Sequence, residues 1–201
     1  MLGDGPRPAS FALAYKQAGG ACLASPAHLA AALWRAPGSA LPALNACAGA
    51  SQFTFHIEAP GIDFCCDTAA ALAARARGAG MLAGIALTPE TAAEAVFPLC
   101  AAGAVDTVLL LSVRAGFGGQ KFQPGVLPKV RALRARFPGI NIIVDGGITL
   151  GNAASVAAAG ANALVAGTTV FAGAQPPEQA VPGLVALIAA GRAAWPQAGE
   201  A

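Results

Sequence analysis

Asp145 is the acidic residue with the clearest chemical context in this sequence. It ends the apolar run 140–145 (INIIVD) and is followed directly by Gly146 and Gly147. Asp-Gly-Gly forms turns readily, so a turn-forming or helix-capping aspartate is one interpretation. If the run is a strand of a parallel sheet, Asp145 lies at its carboxyl end, where such folds build their active sites. There it could act as a general acid or base, bind a metal ion, or do both.

Three glycine-rich segments could bind an anion through their backbone amides. Each follows an apolar run, and their candidate binding residues are Gly116, Phe117, Gly118, Gly119, Gly146, Gly147, Gly167 and Thr168. Glycine lets backbone N–H groups approach a phosphate closely. A single loop of this kind could be a flexible connection and no more. Three of them, at the ends of successive apolar runs, favour a phosphate-binding site.

A few other polar residues are candidates with equally plausible structural roles. His56 and Glu58 alternate along one apolar run, so they could be a catalytic pair or a core histidine hydrogen-bonded to a carboxylate. Arg114 and Lys121 could contact a phosphate or be solvated loop charges. His28 follows Pro26, and from the residues alone it reads as a surface or helix-start histidine.

The composition excludes several classes of function. The net charge of +2 gives no reason to expect nucleic-acid binding, and four basic residues at helical spacing predict a solvated helix face: Lys129, Arg131, Arg134 and Arg136. The five cysteines show no CxxC spacing, so buried or incidental thiols are expected rather than a disulfide framework or a zinc site.

No segment predicts a membrane span or a signal peptide. Glycines, threonines and prolines interrupt the charge-free stretch 146–177, so no run of about 20 apolar residues exists. The chain does not open with a basic, apolar, small-residue leader. We therefore expect a cytoplasmic protein without membrane partners.

Residues 52–194 predict alternating strands and helices. The predicted strands are 52–58, 81–87, 106–112, 140–145 and 162–166, and the predicted helices are 66–79, 90–103, 124–137, 150–159 and 177–194. Strands start every 25 to 35 residues or so, which is the size of a βα unit, and their continuous apolar character indicates a parallel sheet covered by helices. A strand at 20–24 and helices near 10–18, 27–35 and 39–48 are possible in the less readable first part.

These motifs together resemble the ribulose-phosphate 3-epimerase family. The segments that carry the resemblance are FTFHIEA (53–59), AGMLAGIALTP (79–89), LLSVRAGFGGQKF (110–122), VDGGI (144–148) and GANALVAGTTVF (160–171). The resemblance implies a (β/α)8 TIM-type barrel of the ribulose-phosphate-binding kind, formed here by a single domain over residues 1–201. It also implies a homo-oligomer and a role in carbohydrate metabolism, in the pentose phosphate pathway.

The resemblance implies metal-assisted epimerisation of a pentulose 5-phosphate, interconverting D-ribulose 5-phosphate and D-xylulose 5-phosphate. Two aspartates on opposite sides of the substrate move the protons, and a divalent metal (Zn, Fe, Mn or Co) stabilises the enediolate between them. Asp145 matches one aspartate, as acid/base and metal ligand. Gly146, Gly147, Gly167 and Thr168 match the phosphate-binding backbone, and residues 116–119 match the loop that closes on substrate.

The first residues depart from the family pattern. The opening Asp4-Gly5 matches the end of the family's His-x-Asp-x-x-Asp-Gly stretch, which puts the other catalytic aspartate at Met1. His28 is then the candidate for the third-strand metal histidine. In this register the first one to two strands of the barrel are expected to be missing, and the sequence as written is expected to show little or no epimerase activity.

Two other functions remain open on the sequence. The first is a non-catalytic sugar-phosphate-binding paralogue or truncated gene product, which would keep the phosphate loops without two-sided proton transfer. The second is another sugar-phosphate barrel, such as an epimerase for a different ketose or a decarboxylase.

Overall fold

Five strands alternate with helices in the computed structural model, which describes residues 50–59, 67–114, 120–192 and 195. The strands are β1 (Gln52–His56), β2 (Leu82–Leu87), β3 (Thr107–Leu111), β4 (Asn141–Asp145) and β5 (Ala163–Val165). The helices are α1 (Asp67–Gly78), α2 (Phe97–Ala101), α3 (Val126–Arg136), α4 (Leu150–Ala158), α5 (Gly167–Phe171) and α6 (Pro177–Arg192). A 3₁₀ turn at Ala93–Val96 precedes α2.

The strands form one parallel sheet in sequence order, β1-β2-β3-β4-β5. Each predicted strand is confirmed to within two residues at either end. At the carboxyl edge Leu111 pairs with Asp145, and Asp145 pairs with Val165. The loops that follow β3, β4 and β5 therefore leave the sheet at the same level.

The two faces of the sheet differ in chemistry because side chains alternate along each strand. One face packs against the helices and is built from large apolar side chains such as Phe53, Val108 and Val144, each at most 1% exposed. Alternate positions put polar groups on the opposite face, among them His56 at the end of β1 and Asp145 at the end of β4. The candidate site residues thus lie on the face that turns away from the helices.

Two helical segments differ from the prediction. The continuous helix predicted at 90–103 is wrong, because a 3₁₀ turn leads into the short helix α2, which restarts with Pro98 in its first turn. Helix α5 was not predicted, since its sequence GTTVF is rich in β-branched residues that favour strands. Residues 20–24, 27–35 and the other elements expected in the first part of the chain lie outside the described residues.

The predicted solvated face of α3 is wrong for Arg134, which is only 7% exposed. Its guanidinium donates to the carbonyl oxygens of Gly160 (3.0 Å) and Pro138 (2.5 Å) and to Oδ1 of Asn162 (3.3 Å). The same group lies 4.4 Å from the centroid of the Trp195 ring. Arg134 therefore joins α3 to the loop before β5 instead of facing solvent.

We expect Arg134→Ala to lower the free energy of unfolding by about 2 kcal/mol, because it leaves the buried carbonyl group of Gly160 without its donor. Arg131 on the same helix is exposed, and Arg131→Ala is expected to change stability by less than about 0.5 kcal/mol. Urea unfolding of the two variants measures the difference. Equal, small losses in both would contradict the structural role of Arg134.

Candidate active site

The predicted phosphate loops after β4 and β5 lie side by side. Asp145 and Val165 pair at the ends of these strands, so Gly146-Gly147 and Gly167-Thr168 leave the sheet as neighbours. The hydroxyl of Thr169 donates to the carbonyl oxygen of Ile148 and joins the two loops directly. The structure thus brings together the five candidate residues that it describes at this edge. His28 and the candidate loop 116–119 lie outside the described residues.

Asp145 combines a fixed backbone with a carboxylate that no described residue contacts through a hydrogen bond or an ion pair. Its carbonyl oxygen accepts hydrogen bonds from the Ser112 amide (2.8 Å) and the Ser112 hydroxyl (2.9 Å). Within the described part of the chain, its carboxylate has no hydrogen-bonding or ionic partner. Burial raises the pKa of Asp145 above its ordinary value. The backbone of Asp145 is therefore held by Ser112, while no described residue engages its carboxylate.

Gly146 and Gly147 are required by both their conformations and their neighbours. Their φ angles are 115° and 58°, in the region that side-chain-bearing residues rarely adopt. A Cβ at Gly146 would lie 2.5 Å from Cγ2 of Val113, and one at Gly147 would lie 2.8 Å from Cα of Phe122. The turn therefore packs directly against the backbone that follows the loop 116–119.

Gly147→Ala is expected to destabilise the chain by about 2 kcal/mol, because it combines backbone strain with a contact that only a shift of the backbone can relieve. Gly151 is a matched control, since a Cβ there meets only Oγ1 of Thr149 at 3.7 Å and the position is helical. Gly151→Ala should leave stability unchanged or raise it by up to about 1 kcal/mol. Thermal unfolding compares the pair, and similar melting temperatures would contradict the tight packing.

The amides beyond Asp145 are available to an acceptor. Neither the N–H of Gly147 nor that of Ile148 has an acceptor among the residues that the structure describes. Helix α4 begins just after them, with Thr149 and Asn152 forming a capping box. Consecutive free amides in a turn with positive φ are a common anion-binding arrangement.

His56 and Glu58 form a tight polar cluster with the loop after β2. The Nδ1–H of His56 donates to Oε2 of Glu58 (3.1 Å), and Oε1 accepts from the Thr88 amide (2.9 Å) and the Thr91 hydroxyl. Burial raises the pKa of Glu58, but the hydrogen bonds from His56, Thr91 and Thr88 outweigh it and lower the pKa to about 2. The contacts favour the interpretation of a hydrogen-bonded core pair, because the carboxylate is saturated.

Lys129 also donates hydrogen bonds to the loop after β2. Its ammonium group donates to the carbonyl oxygens of Pro89 (2.6 Å), Thr91 (2.5 Å) and Thr88 (3.3 Å). Lys129 is half-buried, so its assignment to a solvated helix face is also wrong. Desolvation by burial lowers its pKa.

Arg114 and Lys121 lie at the surface. Arg114 pairs with Glu90 through an Nε–Oε1 contact of 3.1 Å, with both side chains more than half exposed, and Lys121 is exposed. Exposed ion pairs of this kind contribute little to stability. A substrate-binding role for either residue stays a prediction.

A metal site is not formed by the described residues alone. No group of three or more His, Cys, Asp or Glu side chains in those ranges could hold a metal ion. Asp145 is one suitable metal ligand, and the second predicted ligand, His28, lies outside them.

Among the residues that the structure describes, no helix is long and apolar enough to cross a membrane.

Ser112 and Asn152 also contribute to the site, although the motifs did not single them out. Ser112 is fully buried at the end of β3, and Asn152 lies in the first turn of α4. Each donates a hydrogen bond to a backbone carbonyl of the Gly146-Gly147 turn. A polar residue directly after a strand, and an asparagine three residues after a threonine N-cap, were the available signals.

The fold is similar to that of a solved sugar-phosphate enzyme. The crystal structure of 3-hexulose-6-phosphate synthase superimposes with a TM-score of 0.57 and 23% sequence identity, covering 76% of this chain and 69% of that one. Identity at this level supports the fold alone.

Two relatives named ribulose-phosphate 3-epimerase are more similar in sequence. The cytoplasmic isoform of Oryza sativa is 46% identical over 132 residues, which is 65% of this chain and 56% of that protein. The enzyme of Schizosaccharomyces pombe is 45% identical over 137 residues, covering 68% of this chain and 56% of that protein. The chain therefore spans about half the length of these relatives.

The sequence model described as the ribulose-phosphate 3 epimerase family matches residues 33–171, well over half of the chain. Its members are (β/α)8 barrels, in agreement with the parallel sheet and with the predicted fold class. The chain belongs to the ribulose-phosphate 3-epimerase family.

Proposed function

We propose that this protein interconverts D-ribulose 5-phosphate and D-xylulose 5-phosphate, with Asp145 transferring a proton at C3 of the sugar. One observation carries the proposal. Where two glycine loops meet, the half-buried carboxylate of Asp145 and the next backbone amides along the turn have no hydrogen-bonding partner among the residues that the structure describes. The names of the relatives from rice and fission yeast support the same reaction.

The chemistry requires a group that can both accept and donate a proton. The C3 hydrogen lies next to the C2 ketone, so its removal gives an enediolate, and protonation from the opposite face gives the epimer. General acid–base catalysis is most efficient when the pKa of the group approaches the working pH. Burial raises the pKa of Asp145 towards that range, and the lack of donors within the described residues keeps its carboxylate basic.

The neighbouring amides suit the other end of the substrate. We propose that Gly147 and Ile148, together with Gly167 and Thr168 on the adjacent loop, bind the 5-phosphate. Gly147 lies two residues beyond Asp145 on the same turn. The reacting C3 lies two carbons from the phosphate-bearing C5, so one turn can hold the phosphate and present the base.

The proposal assigns one face of the substrate to Asp145. The register predicted from the sequence puts the second acid/base at Met1, where this sequence has no aspartate, and the candidate metal histidine His28 lies outside the described residues, so both roles stay predictions. A divalent metal (Zn, Fe, Mn or Co), if bound by Asp145 and partners elsewhere, would stabilise negative charge on the substrate oxygens. The homo-oligomer and the cytoplasmic location also stay predictions, the latter in keeping with the name of the rice relative.

An epimerase assay tests the proposal. This chain and the full-length product of its gene are each supplied with D-ribulose 5-phosphate, with and without added divalent metal. D-Ribulose, which lacks the phosphate, is the control substrate. We expect the full-length product to form D-xylulose 5-phosphate and to leave D-ribulose unchanged. Binding of the phosphorylated sugar without turnover by the full-length product would contradict the epimerase and favour a non-catalytic paralogue.

A further inference from the structure

We propose that Ser112 is a positioning residue, which turns the amides of the Gly146-Gly147 turn towards the phosphate by holding the carbonyl groups on the other side. Asn152 is the second anchor of the same turn. This role deepens the proposed function and rests on it, because it specifies how the phosphate-binding amides are oriented.

Ser112 is placed to hold two consecutive carbonyl groups, that of Gly146 chiefly through its hydroxyl and that of Asp145 chiefly through its amide. The hydroxyl lies 2.5 Å from the carbonyl oxygen of Gly146 and 2.9 Å from that of Asp145, while the Ser112 amide donates to Asp145 at 2.8 Å. The side chain is fully buried, so water cannot replace these contacts. Ser112 therefore holds two successive peptide groups, Asp145–Gly146 and Gly146–Gly147.

The peptide geometry converts a held carbonyl into an oriented amide. No described peptide bond is cis, so each C=O points opposite to the N–H of the next residue. Because the Gly146 carbonyl faces Ser112, the N–H of Gly147 faces away from it. Likewise the Gly147 carbonyl accepts from Nδ2 of Asn152 at 2.9 Å, which turns the N–H of Ile148 away from Asn152.

Glycine makes such anchors necessary. Gly146 and Gly147 allow the turn but restrict its torsion angles less than any other residue would. Without a hydrogen bond to the Gly146 carbonyl, the peptide plane between them could rotate and take the Gly147 amide out of the site. Ser112 supplies this restraint from the neighbouring strand.

Asn152 has a second task, which makes Ser112 the better test. Its Oδ1 accepts from the Thr149 amide at 2.8 Å and so caps α4, while its Nδ2 holds the Gly147 carbonyl. Substitutions at Asn152 would disturb the helix cap and the turn together. Among the described residues the Ser112 hydroxyl hydrogen-bonds only to the carbonyl oxygens of Asp145 and Gly146, so its removal leaves the helix cap intact.

The experiment titrates the protein with inorganic phosphate and follows the Gly147 and Ile148 amide signals by NMR. Ser112→Ala is expected to raise the phosphate Kd about tenfold. This is the change expected when one hydrogen bond from a backbone amide to the charged phosphate is lost. Ser112→Thr keeps the hydroxyl and should restore the Kd to within about twofold. Ser155→Ala is the matched control, because Ser155 is exposed on α4 and donates only to the Asn152 carbonyl.

The outcomes separate this inference from the proposed function. If the unsubstituted protein shows no phosphate-dependent change at these amides, the proposed site and this role both fall. If it binds phosphate and a folded Ser112→Ala binds equally well, only the positioning role is overturned. Should Ser112→Ala fail to fold, Ser112→Cys keeps the volume with a weaker donor, and an unchanged Kd there overturns the role in the same way.

Discussion

Asp145→Asn is expected to reduce epimerisation by about 10²–10⁴-fold, the usual contribution of a general acid or base. Asparagine keeps the shape of the side chain but cannot exchange the proton. The backbone contacts of Asp145 to Ser112 do not involve the side chain, so the phosphate loops should keep their geometry. We therefore expect the loss to fall on kcat, with phosphate binding retained.

The same substitution is expected to stabilise the fold near neutral pH. Burial raises the pKa of Asp145, so folding favours the protonated form. This contribution to stability is complete below the ordinary pKa of an aspartate and is lost as the pH rises through the raised pKa. Asp145→Asn removes that loss and should raise the Tm near neutral pH, with little difference in acid.

Asp106→Asn is the matched control for this stability effect. Asp106 pairs with Arg77 at 2.7 Å, and hydrogen bonding from Arg77 lowers its pKa despite partial burial. Replacing it should therefore lower the Tm near neutral pH, the opposite sign. Calorimetry of both variants across pH measures the pair. A lower Tm for Asp145→Asn, or full activity, would contradict the role assigned to Asp145.

Glu58→Gln is expected to lower the free energy of unfolding by about 3 kcal/mol at neutral pH, the magnitude that corresponds to a pKa lowered from 4.5 to about 2. The ionised carboxylate accepts from His56, Thr88 and Thr91, and a neutral amide cannot accept from all of them. The loss should loosen the loop after β2, which Glu58 holds against the end of β1.

The pH dependence follows from the direction of this pKa. Because folding lowers the pKa of Glu58 from 4.5 to about 2, its stabilisation is present above pH 4.5 and is lost as the pH falls towards 2. Urea unfolding at several pH values should therefore show the difference between the two proteins shrinking across that window. Glu90→Gln, at an exposed ion pair with Arg114, is the control and should be nearly neutral. A pH-independent loss at Glu58 would refute the explanation.

The location of the site could be predicted from the sequence because the relevant signals are local. Apolar runs ending in Asp145-Gly146-Gly147 and in Gly167-Thr168 identify two strand ends. In a parallel sheet such ends meet at one edge, as Asp145 and Val165 do. The relative position of these loops was thus predictable without knowledge of tertiary contacts, while the chemical roles of their residues stay predictions.

The supporting residues could not be predicted so well, because their roles depend on contacts between distant segments. Ser112 acts on a turn more than 30 residues later, and its position directly after a strand does not indicate which carbonyl groups its hydroxyl contacts. Arg134 lies four residues after the buried Val130, and this spacing puts the two side chains on the same face of the helix. The hydrogen-bond acceptor of Arg134 in the loop before β5 could not be predicted from this spacing. The short helix α5 has residues that favour strands, and tertiary position decided its conformation.

The most direct test of the central claim, that Asp145 exchanges the proton at C3, is hydrogen exchange in deuterium oxide. D-Ribulose 5-phosphate is incubated with the full-length gene product, and the C3 hydrogen is followed by proton NMR. We predict that deuterium enters C3 as D-xylulose 5-phosphate forms, and that Asp145→Asn abolishes both changes. Equal rates of C3 exchange and epimerisation with and without the Asp145 carboxylate would contradict the account.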